Sequence, residues 1–502
     1  MSYIDAFHDK SKDIVHVVER VNGKREFKEI PAKYTFYYKD TKGNHTSIFG
    51  EKLERVVCTT SKKFLTEKKI HGHKGLYESD VNVVFKTFAE NYDPQSVPEL
   101  NVCFFDIETD FNKEVGFAPP EDPFNAVTAI SLHCNWLKTT ICLTIAPNTL
   151  NIDEARAVTD KFENTILFGT EKEMLEAFLD LIDDADILSG WNSEGFDIPY
   201  LVNRVSRVMS KSHTRRFCLW DKLPRERRFE RYGAEQQTFD TYGRVHMDYM
   251  QLYRKYTYHE MHSYSLDAIG EYEVKERKVE YEGTLDQLYN HDFEKFIAYS
   301  RQDVELLVKL DAKLQFIDLA NVLAHSNTVL LQTTMGAVAQ TDQAIINEAH
   351  TKGLIVPDKR YDRDTTQAAG AYVAKPKKGM HKWVGSIDLN SLYPSILRSC
   401  NMSTETIIGQ VRQTYTKEMI QNARTVAEAW EGKFACKEYE LVIDKNIDEI
   451  LHLDFEDGSS FEATGAEIYE IVFNSGQPWI ISANGTIFTY EKKGIIPGLL
   501  ER

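Results

Sequence analysis

Asp106 and Glu108 stand two residues apart at the end of Val102-Cys103-Phe104-Phe105-Asp106, a continuous apolar run that reads as a strand buried on both faces. Residues two apart on a strand point to the same face, so the two carboxylates face the same space. Two carboxylates together in an apolar strand are costly, because each loses hydration and repels the other. A pair of divalent metal ions removes that cost. Such pairs, ~3.5–4 Å apart, hold the attacking and leaving oxygens of a phosphoryl displacement. Asp197 opens a helical pattern after Trp191-Asn192-Ser193-Glu194-Gly195-Phe196, and Tyr299 and Asp303 share one helix face at a spacing of four. Each piece alone has a plain structural reading: Asp197 as a helix N-cap, Tyr299 with Asp303 as an ordinary helix-face pair. Together, in this order on an α/β layer, they point to a metal-dependent site.

A second constellation lies in Ser386-Ile387-Asp388-Leu389-Asn390-Ser391-Leu392-Tyr393-Pro394-Ser395-Ile396. It reads as a strand ending in a carboxylate, then a tight turn, then a helix N-terminus. Backbone N–H groups of such a turn can face an anion while Asp388 holds a metal, which suits a triphosphate. Asp388 alone would read as a capping aspartate at a strand end; the whole DxxSLYPS string is much more specific and favours the metal and triphosphate reading.

The elements that must position these residues are legible in outline. Strand-like runs at Val127–Leu132 and Ile141–Ile145 follow the Asp106 strand. Met174, Leu175, Phe178, Leu179 and Ile182 recur at helical spacing, and Ile187-Leu188-Ser189-Gly190 is a short strand. Pro199 sits just inside the next helix, a favoured place for proline. A long helical pattern runs from Phe293 through Ile317. Residues 1–100 read as short mixed strands such as Tyr34 to Tyr38, closed by a Pro-bearing linker from Asp93 to Glu99. The C-terminal stretch is strand-rich, with an Asn484-Gly485 turn between Ile480-Ile481 and Ile487-Phe488, and Pro497 looks like a helix start. These patterns predict a mixed α/β and α+β multidomain protein.

The bulk composition bounds the rest. The 502 residues suggest about three or four domains. A hydrophobic share of 42% against 27% charged residues supports buried cores rather than disorder. With 77 acidic and 60 basic residues the chain carries −17, which excludes a globally basic nucleic-acid coat but not a local basic channel. Seven cysteines without a CxxC pair argue against a zinc ribbon or a disulfide framework and suggest a reducing cytosol. No apolar run approaches the ~18 residues of a membrane span, so no membrane partner is expected.

Phe105-Asp106-Ile107-Glu108-Thr109, Asn192…Phe196-Asp197 and Tyr299-Ser300-Arg301-Gln302-Asp303 resemble the three exonuclease motifs of the family B DNA polymerases. The resemblance implies a ribonuclease-H-like fold and a 3′→5′ proofreading exonuclease. It carries Asp106, Glu108, Asp197 and Asp303 over as metal ligands, with Tyr299 positioning the attacking water and Lys278 matching a lysine near the site. The DxxSLYPS string resembles motif A of the same family's polymerase palm. That implies Asp388 as a catalytic metal ligand, Leu389, Ser391, Leu392 and Tyr393 around the incoming nucleotide, and Tyr393 as the gate that rejects ribose. Gly370-Ala371-Tyr372 resembles the family's template-contacting loop. The likeness is nearest to the replicative polymerases of T-even-like bacteriophages, with Ser263-Tyr264-Ser265-Leu266-Asp267 and Gly494-Ile495-Ile496-Pro497 as supporting strings.

The expected division is therefore residues 1–100 as an N-terminal domain, completed by about 316–359. Residues 101–315 form the exonuclease domain, 360–485 the first part of the palm, and 486–502 the start of the fingers. The family's KxxxNSxYG fingers helix and DTD hairpin do not occur in this sequence. A second chain supplying fingers, the second palm carboxylate and thumb is thus expected, in a split polymerase. The strands around Ile480 and Ile487 would then form an edge that pairs with that chain. The implied cofactor is Mg²⁺, two ions at each site, with Mn²⁺ as a substitute. The implied partners are primer-template DNA, deoxynucleoside triphosphates and a sliding clamp reached through the second chain, in the cytoplasm of an infected bacterial host. The alternatives are a free-standing 3′→5′ exonuclease, or a non-catalytic RNA- or DNA-binding module. Lys222, Arg225, Arg227, Arg228 and Arg231, interleaved with Phe229 and Tyr232, could contact a DNA backbone or form a solvated charged hairpin. His259-Glu260-Met261-His262 is one residue short of a zinc-protease motif and is rejected. His71 and His73 read as surface residues.

Overall fold

The computed structural model describes residues 2–112, 114–231, 233–359, 374–412, 450–482 and 486–501. The chain divides into two compact units. One comprises Met1–Thr35, Val57–Ile70 and Val81–Gln343, the other Phe36–Val56, His71–Asp80 and Ala344–Arg502. The architecture is mixed α/β, as the patterns predicted.

The first unit is built on a six-stranded sheet. Its order is Thr165–Phe168, Thr139–Ile145, Val127–Cys134, Val102–Thr109, Ile187–Ser189 and Val245–His246. Val102–Thr109 pairs antiparallel with Val127–Cys134 on one side and parallel with Ile187–Ser189 on the other. Phe105, Leu132, Leu143, Leu175, Phe178, Ile198 and Leu201 are fully buried in its core. Helix Glu171–Leu181 starts with a Thr170/Glu173 capping box and buries Met174, Leu175, Phe178 and Leu179. A separate antiparallel sheet of Tyr3–Asp9, Ile14–Val21 and Lys24–Pro31 belongs to the same unit, as does the hairpin of Arg225–Arg231 with Ala234–Asp240.

The second unit holds two five-stranded sheets. The first runs Leu354–Ile355, His45–Ser47, Lys52–Cys58, Tyr34–Lys39, Leu76–Tyr77. The other runs Ser460–Thr464, Ile450–Phe455, Ile407–Arg412, Thr486–Thr489, Trp479–Ile481.

Four details depart from the sequence expectation. The long helical pattern is two helices, Phe293–Leu314 and Phe316–Ser326, because Gln315 takes a left-handed conformation (φ 54°) and ends the first one. Helix Ile152–Thr159 and strand Thr165–Phe168 stand where no element was expected, although Asn151 and Glu154 form a capping box there. Thr486–Thr489 is an interior strand, paired with Ile407–Arg412 and with Trp479–Ile481, so a division at residue 485 falls inside a sheet. Of the two strands around Ile480 and Ile487, it is Trp479–Ile481 that lies at an edge. Finally, Ser386–Asp388 is not a strand: no described strand lies beside it, and Ile387 is 92% exposed. The Asn484-Gly485 turn lies outside the described residues, while the pairing of Ile480 with Phe488 and of Ile481 with Ile487 around it is as expected.

Candidate exonuclease and nucleotidyl-transfer sites

The Asp106 strand is paired along its whole length on one side, where Asp106 faces Ser131 and Glu108 faces Ala129. On the other side, Ile187–Ser189 covers only Val102 to Phe104. Beyond that point the chain turns at Gly190, where a Cβ would lie 2.8 Å from the Phe105 carbonyl oxygen, so only glycine fits. The turn continues through Asn192, which is left-handed (φ 61°). It then enters helix Asp197–Val208, whose face of Ile198, Leu201, Val202 and Val205 is buried. The Ile107 N–H, left free by the short strand, is taken by Asp197 Oδ1 at 3.2 Å. Asp197 is the first helical residue, and the cap position is Phe196, so Asp197 is not the N-cap.

Helix Phe293–Leu314 brings the remaining groups. Its buried face carries Phe296, Ile297, Ser300, Asp303, Val304 and Leu307. Ser300 and Ser131 hydroxyls meet at 2.8 Å, which registers this helix against the strand residue opposite Asp106. The result is a group of Asp106, Glu108 and Asp303 with ligand oxygens within 4.8 Å of one another. Asp197 stands outside that group, its Oδ1 committed to the backbone.

Lys278 sits against the carboxylates. Its Nζ donates to Asp303 Oδ2 at 2.5 Å and to the Tyr299 hydroxyl at 3.2 Å, while its own N–H is held by Asp267 at 2.9 Å. Tyr281 packs edge-on to Tyr299 with ring centres 5.2 Å apart.

Burial, then the charge of Asp303, pushes Asp106 up to about 7. Burial, then Asp106 and Asp303, holds Glu108 well above the usual carboxylate range. Burial, then Asp106, does the same to Asp197. Burial also raises Asp303, against the pull of Lys278. Burial opposes the charge on Lys278, but Asp303 and Asp106 outweigh it and hold the ammonium protonated. Such mutual elevation marks a site short of positive charge. Asp303 Oδ1 is buried with no hydrogen-bond partner among the described residues. Crowded carboxylate oxygens with an unpaired acceptor fit a hard divalent cation such as Mg²⁺ or Mn²⁺.

Elsewhere the expected residues are dispersed. Asp388, Leu389 and Ser391 are exposed, and helix Leu392–Ser399 begins after Ser391 in a left-handed conformation (φ 50°). Leu392 and Tyr393 are 41% and 66% exposed. Gly370, Ala371, Tyr372 and Tyr232 lie outside the described residues. The hairpin arginines have acidic partners: Arg228 with Glu226 at 3.0 Å, Arg225 with Asp240 at 2.7 Å, and Arg227 with Glu194 at 2.7 Å. Lys222 lies over the Phe7 ring. The sequence reading missed Asp248, which binds the turn before Asp197. An aspartate just ahead of the apolar Tyr249, Leu252 and Tyr253 was the available signal.

Residues 58–269 match the exonuclease domain of DNA polymerase family B, and residues 328–451 match DNA polymerase family B itself. The DNA-directed DNA polymerase of Escherichia phage RB69 is 31% identical over 286 residues, 57% of this chain and 31% of that protein. That of Enterobacteria phage T4 is 30% identical over 247 residues, 49% of this chain and 27% of that protein. The DNA polymerase delta catalytic subunit of Drosophila melanogaster is 28% identical over 242 residues, 45% of this chain and 22% of that protein. The chain thus spans about a third or less of the length of these relatives. Asp106, Glu108 and Asp197 fall within the first matched stretch and the Asp388 string within the second, while Asp303 lies between the two, and the chain belongs to the family B DNA polymerases.

Proposed function

We propose that the chain is a 3′→5′ exonuclease acting on single-stranded DNA ends. In this reading it also carries the motif A segment of a DNA-directed DNA polymerase, within the cytoplasm of an infected bacterial cell. The observation that carries the exonuclease reading is the convergence of Asp106, Glu108 and Asp303 around an unpaired acceptor oxygen. Divalent ions held there would supply charge neutralisation and an acidified water for attack on a phosphodiester. Asp106, Glu108, Asp197 and Asp303 would hold the ions, and Asp197, through Oδ1, also fixes the strand that bears Asp106 and Glu108. Tyr299, with its hydroxyl ordered by Lys278, orients the water. Arg228 of the basic hairpin and Lys278 would contact the DNA. The test is digestion of a 5′-labelled oligonucleotide with Mg²⁺ or Mn²⁺. A ladder shortening from the 3′ end is expected, and cleavage that survives replacement of both Asp106 and Glu108 by Ala removes the assignment.

The polymerase part rests on the DxxSLYPS string and on what surrounds it. Met380, Trp383, Val384, Ile387, Leu389 and Tyr393 are all more than half exposed, a density of apolar surface unusual for a solvated segment. In the proposed enzyme further polypeptide covers this run, supplying fingers, the second palm carboxylate and thumb, and the sliding clamp is reached through it. We assign that polypeptide to a second chain. With it in place, Asp388 would hold metal, Ser391 and the turn amides the triphosphate, and Leu392 and Tyr393 the sugar. Gly370, Ala371 and Tyr372 would meet the template.

A further inference from the structure

The turn that delivers Asp197 is held from outside its own motif. Asp248 accepts the Asn192 N–H on Oδ1 at 3.1 Å and the Glu194 N–H on Oδ2 at 3.0 Å. The same Oδ1 caps helix Tyr249–Tyr256, accepting from Met250 N at 2.9 Å and Gln251 N at 3.3 Å. Both oxygens of a buried carboxylate are therefore spent on backbone, two N–H groups of the turn and two of the helix. The flanking residues reinforce the grip. Tyr249 N donates to the Gly190 carbonyl at 2.9 Å, and the Ser193 hydroxyl meets His246 Nε2 at 2.8 Å. The turn passes through Asn192 in the left-handed conformation (φ 61°), which asparagine tolerates, and the bonds to Asp248 hold its own N–H and that of Glu194. Asp248 reaches neither Asp106, Glu108 nor Asp303 through any of these bonds.

We propose that Asp248 is a positioning residue of the exonuclease site. It clamps the Trp191–Phe196 turn so that Asp197 meets the Ile107 N–H and holds the Asp106–Glu108 strand in metal-binding geometry. The inference rests on the exonuclease reading for its functional meaning, but its geometry is independent of that reading. Loss of the clamp lets the turn drift and Asp197 release Ile107, and the carboxylates then bind metal less well.

Two substitutions in the full chain separate the clamp from the helix cap. Serine is a good N-cap, so Asp248→Ser keeps the helix start, but its single short oxygen cannot bridge two N–H groups of the turn. Asp248→Asn keeps the size and places an NH₂ donor against one of the N–H groups. The primary readout is Mn²⁺ binding followed by the electron paramagnetic resonance of free Mn²⁺, with melting temperature alongside. The expected result is Mn²⁺ affinity lowered about tenfold in both variants, with the melting point of the Ser variant close to wild type. The Mn²⁺ concentration for half-maximal cleavage should rise in parallel, while the rate at saturating Mn²⁺ changes much less. Unchanged Mn²⁺ affinity with a lowered melting point would make Asp248 an ordinary helix cap and overturn the proposal. If the wild-type chain binds Mn²⁺ but cleaves no DNA, the exonuclease reading fails while the affinity comparison still decides the clamp. If wild type binds no Mn²⁺, both fail.

Discussion

The Asp197 carboxylate accepts the N–H of Ile107, the single residue that separates Asp106 from Glu108. A residue expected as one more metal ligand is thus also the brace of the strand that carries two of them. The two roles can be separated. Asp197→Asn keeps an oxygen for Ile107 but loses the charge, so the melting point should hold while cleavage falls about 100-fold or more. Asp197→Ala leaves a buried N–H unpaired, at a cost of about 1–3 kcal/mol, so it should also lower the melting point. Equal melting points for the two variants would remove the bracing role.

The carboxylates also predict a pH dependence with a definite sign. Asp106 is pushed up to about 7, so between its ordinary value and 7 the folded chain binds more protons there than the unfolded chain. The stability that this proton contributes is present at low pH and is lost as pH rises through 7. Asp106→Asn removes that titration, so without metal its melting point relative to wild type should climb from about pH 5.5 to about pH 8. Mn²⁺ should stabilise wild type more at the higher pH. A relative melting point that falls over this range would contradict the elevated Asp106.

Lys278 and Tyr299 are predicted to differ in what they support. Tyr299→Phe removes only the hydroxyl that Lys278 orders, so cleavage should drop by about 10–100-fold with Mn²⁺ affinity unchanged. Lys278→Met leaves Asp303 Oδ2 without its donor and removes the cation that holds the carboxylates down. Its cleavage profile should therefore move to higher pH. Identical pH profiles for Lys278→Met and wild type would reduce the lysine to a spectator.

Why the sequence revealed some of this and not the rest follows from particular residues. Asp106 and Glu108 were readable because two charges in an apolar strand violate burial, and Tyr299 with Asp303 because helical spacing is fixed. Helix Phe293–Leu314 was overextended because apolar spacing continues across Gln315, whose left-handed backbone no periodicity records. Helix Ser61–His71 left no apolar stripe to read, since none of its side chains is buried. Asp248 was missed because its partners are backbone N–H groups of a turn some fifty residues away, which side-chain pattern cannot show. Ser386–Asp388 was read as a strand from its own residues, although a strand needs a neighbour and none is described beside it.

That last point leads to the sharpest test of the polymerase reading. Nucleotidyl transfer needs metals held by carboxylates and a cation against the triphosphate, and the DxxSLYPS string offers Asp388 alone. Asp388 is exposed, and Ile387 and Trp383 beside it are 92% and 100% exposed, so nothing described shields a nucleotide from water there. This chain by itself should therefore fail to extend a primer while still degrading single-stranded DNA. Extension should appear on mixing with a polypeptide that carries the family's fingers, second palm carboxylate and thumb. The association should bury on the order of 2,000 Å² or more, as obligate pairs do. Asp388→Ala should abolish extension by the mixture and leave 3′ degradation intact, because the two carboxylate sets serve separate reactions. Trp383→Ser and Ile387→Ser should weaken the association without touching degradation. Synthesis by this chain alone, or by a mixture lacking the Asp388 carboxylate, would end the reading of Asp388 as half of a completed site.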